Sequence, residues 1–158
     1  MDMDEIYGLK LNSQFLDKLN YDTKVWIAKA MINCIISDKG IEKSEIHYLD
    51  DALSLIKEEE QRKELIDHAI NRKQIELNNL IPDQNYHGHI LFYLAMLITA
   101  DVKVKVSEFN YLQYISGKLG FKKDSAKIVM DWAYKSVQLK KRRDKTIKTI
   151  KNNKPFYS

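Results

Sequence analysis

Apolar residues recur at spacings of three and four along most of the chain, the pattern of helices with one buried face. Val25, Trp26, Ala28, Met31, Ile32, Ile35 and Ile36 form such a face. They predict a helix that Asp22 or Thr23 caps and that ends near Ile36. Ser44 can cap the next helix, with Glu45 in its first turn and Ile46, Leu49, Leu53 and Ile56 as its stripe. Leu65, Ile66, Ala69 and Ile70 carry another helix. A shorter helical piece with Ile75, Leu77, Leu80 and Ile81 should end at Pro82. The run from His89 to Ala100 is apolar nearly all round and predicts the most buried helix. Ser107 can cap a helix bearing Phe109, Tyr111, Leu112, Ile115 and Leu119, closed by Gly120 at its C-terminal turn. Asp124 or Ser125 can cap the last long helix, whose Ala126, Ile128, Val129, Trp132, Ala133 and Val137 are expected to face the core. With a short helix after Ser13, the fold class expected is all-α: a single-domain helical bundle of about seven helices.

The pattern repeats. Asp38 and Asp101, Ser44 and Ser107, and Glu45 and Glu108 are each 63 residues apart, as are Ile35 and Ile98, Ile41 and Val104, and Leu49 and Leu112. Each set reads as a buried helix, a turn holding one Asp, and a helix opened by Ser-Glu. The chain therefore reads as two pseudo-symmetric helix–Asp-turn–helix repeats, over about residues 22–80 and 86–138. Residues 1–19 form an N-terminal extension with a short helix, and residues 139–158 a basic C-terminal extension.

The chain has 158 residues, enough for one domain with a real core. Its five Gly and two Pro argue against a turn-rich β fold. One cysteine, Cys34, cannot staple the chain. With an acidic N-terminus in place of a basic-then-apolar leader, this predicts a soluble, cytoplasmic protein. The longest apolar run, Ile90 to Ala100, is about half a membrane span. The net charge of +4 is unevenly placed: from Lys135 to Lys154 nine Lys/Arg face one acid, Asp144, leaving the rest at −4.

The segments Ser37-Asp38-Lys39-Gly40-Ile41-Glu42-Lys43-Ser44-Glu45 and Ala100-Asp101-Val102-Lys103-Val104-Lys105-Val106-Ser107-Glu108 resemble two copies of the Asp-turn motif of the tellurite-resistance TerB-like family. Leu112, Ile115 and Leu119-Gly120-Phe121 resemble its Leu-Gly ending. The resemblance covers about residues 20–138. It implies an all-helical fold with pseudo-twofold symmetry and a stress-associated role, binding a divalent metal or a partner protein near the membrane. It carries no characterised catalytic activity.

Asp38, Glu45, Asp101 and Glu108 are the candidate metal ligands. Four carboxylates offer hard oxygens for Ca²⁺, Mg²⁺ or Mn²⁺, and less readily for Zn²⁺. The same residues could instead satisfy backbone N–H groups of their own turns and complement helix dipoles. His87-Gly88-His89 reads as the start of a helix. No Gly-x-Ser-x-Gly elbow or Gly-rich phosphate loop is present, so a non-enzymatic protein is expected. Lys140, Lys141, Arg142, Arg143 and Lys145 are the candidate contacts of a basic tail that could dock on an anionic membrane or on nucleic acid. Without interleaved base-stacking aromatics, sequence-specific nucleic-acid reading is disfavoured.

Overall fold

The computed structural model describes residues 13–36, 43–99, 106–153, 155 and 157, with backbone alone for 13, 14 and 43–48. The described residues hold seven α-helices and one short 3₁₀ turn, and no strand. The helices are α1 (Ser13–Asp17), α2 (Tyr21–Ile36), α3 (Lys43–Ser54), α4 (Glu59–Asn71), α5 (His87–Thr99), α6 (Val106–Lys118) and α7 (Asp124–Lys151). The 3₁₀ turn, Gln84–Tyr86, leads directly into α5. No described helix is long and apolar enough to cross a membrane.

α2 packs against α3, α4, α5 and α6, and α5 packs against α6 and α7. These two helices are apolar around most of their circumference, which suits them to central positions. Ile27, Met31, Ile32, Ile90, Leu94 and Met96 are fully buried between their neighbours, with Leu112 and Ile115 of α6. Leu65 and Ala69 of α4 and Val129 and Ala133 of α7 are buried as well.

Four local readings need correction. Asn20 caps α2, its Oδ1 accepting the Asp22 N–H at 3.2 Å; Thr23 instead donates to Asp83 Oδ2 at 2.7 Å. The same Asp83 carboxylate accepts the Asn20 N–H at 2.8 Å. α7 starts at Asp124 with no side-chain cap. Its core face is Ala126, Val129, Met130, Ala133 and Val137, so Ile128 and Trp132 turn outward. Finally, the segment after Asn71 is not helical.

That segment, residues 72–83, is an ordered non-helical strap. α4 stops where Arg72 enters the left-handed region at φ 52°, with Lys73 N–H returning to His68 O at 3.0 Å. This pattern satisfies the last carbonyls of a helix. Beyond it, Asn33 Nδ2 donates to Ile75 O and Asn33 Oδ1 accepts from Ile75 N–H, both at 2.7 Å. Trp26 Nε1 donates to Asn78 O at 2.8 Å. Asp83 then meets Thr23 and Asn20, so the strap runs antiparallel to α2. Leu77 and Leu80 are buried beneath it, and Leu80 N–H reaches Lys118 O of α6 at 3.0 Å. An amide side chain occupies backbone groups of this segment, which removes the need for a helix here.

Candidate functional site

The chemistry-bearing residues fall into three regions. The first is the end of the molecule where α2 finishes and α6 begins. Asp38 and Asp101 lie outside the described residues, and Glu45 is placed on α3 by its backbone alone. Glu108, in the first turn of α6, is half-buried. Its charge acts on Cys34 in the last turn of α2: burial first, and then Glu108, push the thiol far above its ordinary range. The last turn of α2 and the first turn of α6 therefore lie close together. A thiol held protonated in this way is a packing group rather than a nucleophile.

Next to Cys34 lies Tyr111, buried against α2. Its phenol is also pushed upward, by burial and then by the Cys34 position, with the neighbouring Asn33 amide opposing. Asn33 directs its short bonds to Ile75, so the Tyr111 hydroxyl is left without a well-aligned partner. Asn33, Cys34, Tyr111 and Glu108 thus form a polar seam between α2 and α6. Sequence reasoning missed Asn33, although an amide inside the apolar run Met31–Ile36 is itself a signal that a backbone needs satisfying there.

The second region is the outer face of α7. Val137 is its last buried residue, and the helix continues to Lys151, about 20 Å further at 1.5 Å per residue. Lys141, Arg142 and Lys145 are exposed, while Lys140 and Arg143 are half-buried. Arg143 also bonds Asp144 at 3.3 Å. Apolar side chains stand out on the same helix: Ile128 is 68 % exposed, Trp132 48 %, Leu139 57 % and Ile150 64 %. At about 100° per residue these four fall within an arc of roughly 40° and make one stripe about 33 Å long. Trp132 is steadied by an edge contact with Phe92 of α5 at 4.9 Å. Periodicity alone had assigned two of the four to the core, because a helix with apolar residues on two faces does not reveal which one packs.

The third region is the strap, which has hollows along both sides. One of about 410 Å³ is lined by Ile81, Gln84, His87, Lys118 and Phe121 among others. Another of about 360 Å³ lies beside Asn33, Gln74, Glu76, Tyr111 and Tyr114. His87 is buried at the first position of α5. Its Nδ1 is 3.0 Å from Leu119 O and its Nε2 is 2.8 Å from Pro82 O. Among the described residues no group of three or more His, Cys, Asp or Glu is placed to hold a metal. Comparison with known proteins finds no matching family model, no matching curated protein and no matching solved structure.

Proposed function

We propose that the chain is a non-enzymatic, TerB-like binding module of two related halves, acting in the cytoplasm as an adaptor whose helix α7 docks on an anionic membrane surface. The observation that carries this reading is the α7 stripe of Ile128, Trp132, Leu139 and Ile150, exposed on a helix whose end is strongly basic. Each Lys or Arg held near an anionic surface contributes about 1 kcal/mol, and an apolar stripe adds burial at the headgroup boundary. Phosphate contacts of a nucleic acid would use the charges but leave the stripe in water. The test is co-sedimentation of the full chain with phosphatidylglycerol–phosphatidylcholine vesicles, followed by Trp emission. Trp26 is already buried, so a blue shift reports Trp132. Binding that weakens with salt, and with Leu139→Ser plus Ile150→Ser, is expected. Binding to DNA without binding to vesicles would transfer the role to nucleic acid, and no binding to either at low salt would end the adaptor reading.

A second reading is that Asp38, Glu45, Asp101 and Glu108 bind a divalent cation or a partner protein, supported by the half-buried carboxylate of Glu108 in the first turn of α6. It depends on the two-halves architecture, which the sequence recurrence at 63 residues supports. For the cation form, millimolar Ca²⁺, Mg²⁺, Mn²⁺ or Zn²⁺ should raise the melting temperature, and Asp38→Asn with Asp101→Asn should abolish the rise. No shift with any of the four ions rejects it.

A further inference from the structure

We infer that the membrane-docking face continues from α7 onto the body of the protein, as an edge of aromatic rings that sits at the headgroup boundary. The inference rests on the vesicle-docking reading above and adds to it which side of the body meets the lipid.

Trp132 joins the two parts. It belongs to the exposed stripe of α7, and its ring meets Phe92 of α5 edge-on at 4.9 Å. Three residues before Phe92 on α5 stands His89, its neighbour on the helix surface. The His89 ring lies 5.7 Å from Phe15 of α1 and 6.2 Å from Tyr86 of the 3₁₀ turn. Phe15 and Tyr86 meet edge-on at 5.2 Å. Five rings from four separate elements thus follow one another across the surface. His89 is exposed, while Phe15, Tyr86 and Phe92 are half-buried against the core.

The chemistry of the rings selects the occupant. Phe15 and Phe92 alone would suit any apolar surface. Tyr86, His89 and Trp132 each carry a polar tip on an apolar body. Tyr and Trp rings of this kind settle where lipid headgroups meet acyl chains, because the body leaves water while the tip stays wet. A dry protein interface would have to supply a partner for every tip.

Charge is arranged to match. At about 100° per residue, Arg142 and Arg143 flank the α7 stripe, one on each side. Asp131, the acid next to Trp132 in sequence, is paired with Lys135 at 2.9 Å. With rings and stripe on one surface, α7 lies along the membrane plane and the body leans until Phe15 and Tyr86 reach it. Docking through the basic extension alone would leave those rings in water.

Proton NMR of the full-length, unsubstituted chain separates the two arrangements. The chain is bound to bicelles of phosphatidylglycerol and phosphatidylcholine that carry a nitroxide-headgroup lipid. The Trp132 indole and His89 ring signals should both broaden. Those of His68, on α4 with its Nδ1 at 2.8 Å from Lys73 O, should stay sharp. His89→Asp should weaken partition into phosphatidylglycerol–phosphatidylcholine vesicles about fivefold, the effect of one charge held at such a surface. Gln74→Asp, on the strap, should change it by less than about twofold. A sharp His89 signal beside a broadened Trp132 signal overturns the inference and leaves the docking of α7 standing. Equal broadening of His68 and His89, or unchanged partition of His89→Asp, overturns it as well. Failure of the chain to sediment with vesicles overturns both readings. The spectra of the unsubstituted chain decide the matter even if a variant fails to fold.

Discussion

Asn33 occupies a core position where the surrounding run would accommodate a leucine, and it spends both ends of its amide on Ile75. Replacing it with Ala leaves a buried N–H and a buried carbonyl unpaired, at about 1–3 kcal/mol each. Asn33→Ala should therefore lower the unfolding free energy by roughly 2–4 kcal/mol in urea titration. Asn33→Asp should be worse, since a carboxylate cannot donate to Ile75 O and would be charged in a dry site. A loss below ~0.5 kcal/mol, the usual range of a surface substitution, would show that the strap is held by other means. Little at this scale was legible beforehand. Asn33, Asp83 and His87 act on residues 42, 60 and 32 positions away, and no local pattern encodes such partners. The C-terminal turn at Gly120 was legible because its chemistry is local: its φ of 90° needs a residue without a side chain, and Phe121 N–H returns to Ser116 O at 2.8 Å.

At the scale of elements, α7 is two helices in one: a packed part up to Val137 and an extension with no buried residue. Removing residues 139–158 should shift the melting temperature by no more than about 2 °C, because the deleted turns contribute little to the core. The same deletion should abolish binding to anionic vesicles. A large loss of stability would mean that the extension packs on the body and is not a free docking element. Long periodic helices such as α2 and α5 were readable because their apolar residues cover most of the circumference. The strap was misread as a helix because Ile75, Leu77, Leu80 and Ile81 fit a loose helical spacing as well as an irregular crossing. Asn33 and Trp26, anchored on α2, decide between the two.

Over the whole molecule, charge separates along the chain: a basic helical end on a body that is acidic in balance. Such an arrangement orients a protein as it nears a charged surface and makes its encounter rate depend on salt. The all-helical architecture was legible from the scarcity of Gly and Pro and from the periodicity. The strap has a consequence for how this protein can change over generations. Asn33, Trp26, His68 and His87 all grasp its main chain, the feature every amino acid shares. Residues on its outer side can drift with little penalty, while the distant positions that hold it cannot. The inheritance of this crossing is written in the helices around it rather than in the crossing itself.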